Sequence, residues 1–260
     1  MITLKFTINK YYLAFLLVNQ LEGMKKRMDR KDYKELYTLI NSYKNTPHFY
    51  LINLKKLEAI EWGLTNIYVN NSLKDVGRET NSIFEKIFRM AGFQKILKET
   101  KNYLKTVQKQ WKQNEKQINQ YLENILKIDL PALSITVIIV HPIFKKGRSF
   151  SNNLIIYGHK EEWKNYNIVY LTHEALHIIF SRLGIKHDDV SHTLIELITD
   201  NSLKRIFNNK KSTIGRNSIN IGHPKLLKIK KEILPYWLKY IKSKDKNIVS
   251  FYQELIAKVY

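Results

Sequence analysis

Apolar residues recur at helical spacing over most of the first half of the chain. The clearest stripe runs along residues 93–126, where apolar side chains three and four positions apart face one way and Lys, Gln, Asn and Glu face the other. Similar patterns occupy 29–43, 49–69 and 72–90, and a first helix is expected to begin near Asn9. Residues 1–130 are therefore predicted to form a helical N-terminal region.

The pattern changes after Pro131. Residues 133–140 are β-branched and apolar almost without interruption, which indicates a central strand. A second short strand is predicted over 153–157, and the basic, glycine-containing segment 144–150 between them is predicted to be a loop. A small sheet thus opens the second region, 131–260, and the fold class is predicted to be predominantly helical α+β.

Helical spacing returns over 167–180, and this segment contains His173-Glu174-Ala175-Leu176-His177. Two histidines four positions apart lie on one face of a helix, separated by roughly 6 Å of rise, and can converge on one metal ion. Glu174 lies beside that pair and is placed to act on a metal-bound water. Zinc is the metal expected, because neutral imidazole suits it.

A second helix predicted over 191–207 follows a helix-ending glycine, Gly184, and a polar loop. Its apolar stretch contains Glu196 and, one turn later, Asp200. A carboxylate in such a place needs a partner, because burying a lone charge is costly. Glu196 is predicted to be the third metal ligand, and Asp200 could accept the free ring N–H of a ligand histidine. His187 and His192 are alternative third ligands.

The motif HExxH, a short loop and a helix with Glu-x-x-x-Asp resembles the gluzincin branch of zinc metallopeptidases, the thermolysin-like proteins. The likeness covers roughly residues 135–210 and implies that His173, His177 and Glu196 bind zinc, that Glu174 is the catalytic base, and that Asp200 orients a ligand. A metzincin would require glycine and histidine where the chain has Phe180 and Leu183.

The resemblance also implies an edge strand that pairs with extended substrate, and residues 151–157 are the candidate. An ordinary sheet strand without a ligand role is the alternative for this segment. Related enzymes use a downstream His or Tyr to stabilise the oxyanion, and the candidates are His223, Tyr236 and Tyr240, with His223 preferred. The polar stretch 208–220 is a candidate mobile loop over the cleft.

Composition adds two limits. The 260 residues include no cysteine, which excludes disulfides and thiolate chemistry and fits a cytoplasmic protein. The net charge of +21 would attract nucleic acid, but the lysines are scattered, so a solvated basic surface is favoured. The apolar run 11–18 is too short to span a bilayer, and a buried first helix is preferred over a weak signal peptide.

The sequence therefore predicts a zinc-dependent peptidase acting on a peptide or protein substrate. Two alternatives stay open. One is a zincin-like protein that has lost or changed its activity and serves as a binding protein. The other is a basic nucleic-acid-binding helical protein in which HExxH is incidental.

Overall fold

The computed structural model describes residues 1–24, 38, 78–150, 153–208 and 222–259. The helices predicted over 29–43 and 49–69 lie outside the described residues except for Thr38, and the loop predicted over 208–220 lies outside them except for Asn208. The remaining elements form a predominantly helical α+β protein with one small sheet, as the sequence predicts.

Three long helices lie in the first half of the described chain: α1 (Lys10–Met24), α2 (Arg78–Arg89) and α3 (Ala91–Leu126). Asn9 caps α1 as expected, because its Oδ1 accepts hydrogen bonds from the backbone N–H groups of Tyr11 and Tyr12. The predicted apolar stripe of α3 is its buried face, formed by Val107, Trp111, Ile118, Leu122 and Leu126.

The sheet has four strands: β1 (Ile2–Thr7), β2 (Leu133–Ile139), β3 (Lys146–Phe150) and β4 (Leu154–Gly158), in the order β1-β2-β4-β3. Strands β2 and β4 confirm the two predicted strands. The sheet also includes β1, from the first residues of the chain, where the sequence predicts no element.

Two predictions about the sheet are wrong. The segment predicted as a loop over 144–150 contains strand β3, and the candidate edge strand over 151–157 contains β4, which lies between β2 and β3. All five residues of β4 are buried, whereas those of β3 are partly exposed. Apolar, β-branched runs identify buried central strands, so the polar edge strand Lys-Gly-Arg-Ser-Phe gave no such signal.

The predicted two-helix unit is present as α4 (Tyr166–Arg182), α5 (Asp189–Glu196), a π-helical segment (Leu197–Leu203) and α6 (Lys204–Phe207). Gly184 ends α4 with a φ of +73°, and the Ile185 N–H reaches back to the Phe180 carbonyl at 2.9 Å. Asp188 caps α5 and forms a reciprocal capping box with Ser191.

The C-terminal part comprises a 3₁₀ turn (Pro224–Leu226), α7 (Leu227–Lys242) and α8 (Ile248–Val259). Trp237 and Tyr240 of α7 stack together, and Tyr240 stacks on Phe251 of α8 with ring centroids 4.4 Å apart. These aromatic contacts dock the last helix on α7. Within the described ranges, no helix has both the length and the apolar character required to cross a bilayer.

Contacts divide the chain into two compact units. One comprises Met1–Phe6, Thr106–Val137 and Gly147–Tyr260, and the other comprises Thr7–Lys105 and Ile138–Lys146. In the second unit, Tyr11 packs edge-on against Phe84 and Phe88. Every candidate site residue identified in the sequence belongs to the first unit.

Candidate metal centre

Helix α4 places His173 and His177 on one face, one turn apart. Their ring centroids are 5.1 Å apart and the rings are inclined by 61°. His173 and Glu174 are buried, and His177 is partly exposed. The helix is anchored by apolar neighbours such as Leu171, Ala175 and Leu176. The two imidazoles of the HExxH motif are therefore held together by the packing of one rigid helix.

His192 of α5 joins this pair. Its ring centroid lies 4.9 Å from that of His177 and 5.4 Å from that of His173. One ligand nitrogen of each of the three histidines lies within 4.8 Å of the others. His192 Nε2 is buried and has no hydrogen-bond partner among the described residues. Three neighbouring imidazoles, one of which has a buried and unpaired nitrogen, form a donor set that fits a divalent metal.

Asp200 lies behind His173, as the sequence predicts. Its Oδ2 is 3.5 Å from His173 Nδ1, and Thr199 Oγ1 lies 3.3 Å from the same nitrogen. With Nδ1 facing these two oxygens, Nε2 is the ring nitrogen of His173 left for a ligand. Thr199 and Asp200 both belong to the π-helical segment, a kind of element that is frequent at functional sites.

The protonation of the cluster is set by burial and by the crowding of imidazoles. Burial and the neighbouring histidines, His173 first, lower the pKa of His177 to about 2 and that of His192 to about 4. Burial acts against protonation of His173 as well, but the Asp200 carboxylate and the nearby glutamates outweigh it and raise its pKa. His177 and His192 are therefore neutral at pH 7, with nitrogen lone pairs available for a metal.

Glu174 lies beside the histidines in a largely water-free position. Burial raises the pKa of its carboxyl group, while His173 and hydrogen bonds from the side chain and backbone of Ser149 act in the opposite direction. Ser149 belongs to the edge strand β3. The residue that orients Glu174 was therefore missed in the sequence, since its strand was predicted to be a loop.

Glu196 has a different environment from the one predicted. It is fully buried, and its Oε2 lies 2.5 Å from the ammonium of Lys230, itself only 1% exposed. Its Oε1 accepts a hydrogen bond of 2.7 Å from the backbone N–H of His223 and lies 2.6 Å from His223 Nδ1. Among the described residues, Glu196 forms a possible ligand set with His192 and His223, which has only His192 in common with the set of His173, His177 and His192.

The three candidates for oxyanion stabilisation occupy different places. His223 lies at the cluster, with its ring centroid 4.7 Å from that of His192 and its side chain about half exposed. Tyr236 is exposed beneath the Lys258 ammonium. Tyr240 is buried and donates its hydroxyl to the Ile125 carbonyl at 2.9 Å. Only His223 of these three is brought to the histidines.

His187, the other alternative ligand, lies in the exposed loop before α5. Its ring centroid is 5.1 Å from that of His177, but its side chain faces solvent. It belongs to neither of the two ligand sets that the described residues form. His192 is therefore the better placed of the two alternative histidines.

Tyr170 borders the cluster one turn before His173. Its ring stacks on His173 with centroids 6.0 Å apart and lies 4.5 Å from the ring of His159. A Cβ at Gly147 of β3 would lie 2.3 Å from Tyr170 Cε1, so this strand position must be glycine for the ring to pack there. The three-residue spacing of Tyr170 and His173 is the signal that could have revealed this neighbour.

Comparison with protein-family models, curated proteins and solved structures finds no match to the chain. The gluzincin resemblance therefore stays a prediction that depends on residues 173–177, 196 and 200.

Proposed function

We propose that the chain is a zinc-dependent metallopeptidase whose ligands are His173, His177 and His192. The observation that carries the proposal is the convergence of three imidazoles from two helices, with ligand atoms within 4.8 Å of one another and the buried Glu174 beside them. Catalytic zinc sites use three protein ligands and keep a further position open for water or substrate.

The donor set fits zinc in three respects. His177 and His192 are neutral at pH 7, because burial and mutual repulsion lower their pKa values to about 2 and about 4. His192 Nε2 has no other partner among the described residues. Asp200 lies against His173 Nδ1, the contact by which carboxylates orient zinc-binding imidazoles.

The proposal replaces Glu196 with His192 as the third ligand. Glu196 Oε2 lies 2.5 Å from the ammonium of Lys230, which is 1% exposed, so moving the carboxylate to a metal would break this buried ion pair. Removing one partner of a buried ion pair costs about 3–5 kcal/mol. His192 forms no such ion pair among the described residues, and its Nε2 is buried without a hydrogen-bond partner there.

A bound zinc ion would supply a Lewis acid that acidifies water and polarises the scissile carbonyl. Glu174 takes the proton from the attacking water and delivers it to the leaving amine. Its burial, which raises the pKa of the carboxyl group, brings that pKa closer to the working pH. Ser149 donates to the same carboxylate and fixes its orientation.

Two further elements complete the proposed site. His223, whose Nδ1 lies 2.6 Å from Glu196 Oε1, stabilises the oxyanion from its other ring nitrogen, Nε2. Strand β3, at the end of the sheet order, offers backbone groups to an extended peptide in place of the segment 151–157. The substrate class is therefore a peptide or an extended protein segment.

The absence of cysteine is compatible with the cytoplasm, where we place the activity.

Metal analysis tests the proposal directly. Protein purified without added metal and without a metal-affinity tag should contain about one zinc per chain. His173→Ala and His192→Ala should each lose it, whereas His187→Ala, which removes an exposed imidazole next to the cluster, should retain it. A protein that binds no zinc even after reconstitution overturns the proposal, and a zinc-loaded protein that cleaves no member of a peptide library favours the binding-protein alternative.

A further inference from the structure

Glu196 is the most enclosed carboxylate of the described chain around the histidine cluster, and its partners come from two other elements. The residue itself ends α5 and is 0% exposed. Lys230, in the first turn of α7, lies 2.5 Å from Oε2, and the backbone N–H and Nδ1 of His223 lie 2.7 and 2.6 Å from Oε1. A buried charge surrounded in this way is a fixed junction between α5, α7 and the turn that precedes α7.

Gly222 supplies an independent observation. Its φ is +103°, and a Cβ at this position would lie 2.3 Å from Glu196 Oε2 and 2.4 Å from Cδ. Only a residue without a side chain can therefore bring the backbone this close to the carboxylate. The turn 222–223 fits closely around the carboxylate of Glu196. A carboxylate directed at a metal between His173 and His177 would not require this close fit.

The burial of Lys230 is a second independent observation. A lysine that is 1% exposed is unusual, because burying an ammonium without a counter-ion is strongly unfavourable. Its distance of 2.5 Å from Glu196 Oε2 gives it that counter-ion. The ammonium of Lys230 neutralises the charge of the Glu196 carboxylate within the protein. The carboxylate then has no unbalanced negative charge that would favour binding to a metal cation.

We propose that Glu196, Lys230 and Gly222 form a latch that holds His223 against His192, and that Glu196 is a positioning residue and not a metal ligand. The role of the latch in catalysis rests on the proposed function, in which His223 stabilises the oxyanion. The latch itself is a feature of the metal-free protein. It fixes the His223 ring through Nδ1 and leaves Nε2 as the nitrogen that reaches substrate.

The decisive variant removes both buried charges at once. Glu196→Leu with Lys230→Met keeps similar volumes and leaves no unpaired charge, so the protein is expected to fold. The latch predicts that this double variant keeps its zinc and loses the His223 imidazole N–H proton signal in NMR spectra, which His223→Ala identifies. Lys231→Met, at an exposed neighbouring position, is the control and should leave both readouts unchanged.

Activity supplies a second readout. Turnover of the double variant should fall to the level of His223→Ala, and adding His223→Ala to it should produce no further loss, because both changes remove the same function. Full turnover, or a loss that multiplies with that of His223→Ala, overturns the proposal. If the double variant loses zinc while His192→Ala keeps it, Glu196 is the third ligand and the latch is wrong.

Gly222→Ala keeps the proposal testable if the double variant does not fold. The added methyl group leaves the charge pair intact but displaces the turn from Glu196, so the His223 N–H signal should be lost while zinc is retained. An unchanged signal contradicts the latch. Since this signal is measured on metal-free protein, it also separates the latch from the proposed function: a chain without zinc can still show the latch, and a zinc enzyme can lack it.

Discussion

Ser149, on the edge strand β3, hydrogen-bonds through both its side chain and its backbone to the buried carboxylate of Glu174 on α4. These hydrogen bonds connect β3, the strand proposed to bind substrate, with Glu174, the residue proposed to transfer the proton. A peptide paired along β3 would therefore lie next to the general base without any rearrangement of the sheet.

Removing the Ser149 hydroxyl should change proton transfer without changing the metal. Ser149 lowers the pKa of Glu174, so Ser149→Ala should raise it and move the acidic limb of the pH–rate profile to higher pH. We expect turnover to fall by about tenfold at pH 7 with zinc content unchanged. Ser181→Ala, at an exposed position of α4, is the matched control, and an acidic limb that stays in place would remove Ser149 from the site.

Asp200 is expected to act on metal affinity through His173. Asp200→Asn should weaken zinc binding by roughly 10–100-fold and leave the fold intact, because it removes only the charge that orients the imidazole. Competition with a chelator of known affinity measures the change, and Asp189→Asn at an exposed position provides the comparison. Equal affinities for Asp200→Asn and the unmodified protein would exclude this role.

The metal-free protein should lose stability on acidification below the ordinary pKa of histidine. The folded-state pKa values of His177 and His192 are lowered to about 2 and about 4, so the unfolded chain takes up protons first as the pH falls below about 6.5. Their contribution is present above that pH and is lost as the pH falls towards about 4 for His192 and about 2 for His177. His173, whose pKa is raised, contributes in the opposite direction.

Thermal unfolding in the presence of a chelator at pH 7.5 and pH 5 measures this dependence. We expect the melting temperature to fall by several degrees, roughly what 1–2 kcal/mol produces in a chain of this size. His177→Gln, which cannot take up a proton, should show a smaller fall between the two pH values. Identical falls for the two proteins would show that His177 titrates normally in the fold.

Gly147 should be coupled energetically to Tyr170. Gly147→Ala places a methyl group within 2.3 Å of the tyrosine ring, and such overpacking costs about 1–3 kcal/mol. Combining it with Tyr170→Ala should cost less than the sum of the two single changes, because the clash is removed. Chemical denaturation of the four proteins gives the coupling, and strict additivity would mean that the ring does not occupy this place.

The sequence predicted those elements whose apolar residues recur at helical spacing or form a nearly unbroken β-branched run. The stripe of α3, the strands β2 and β4, and the helices around His173 and Asp200 are where the pattern places them. The sequence predicted that Asp200 could accept the ring N–H of a ligand histidine, and its Oδ2 lies 3.5 Å from Nδ1 of His173.

The rest depends on contacts between distant parts of the chain. Strand β1 pairs with β2 more than 120 residues away, and β3 is a polar edge strand, so neither has the pattern of a buried element. Lys230 looks like any other lysine of a basic helix, and nothing in its neighbours indicates that it is buried against Glu196. The local pattern therefore identified the helix that carries Glu196, but it did not reveal that Glu196 is paired with Lys230.

The most direct test of the central claim is the zinc content and peptide turnover of Glu174→Gln. The substitution keeps the size of the side chain and removes the proton acceptor, so zinc should stay at about one per chain. Turnover of any peptide that the unmodified protein cleaves should fall by about 10²–10⁴-fold. Full turnover by a zinc-loaded Glu174→Gln protein would contradict the proposed hydrolytic mechanism.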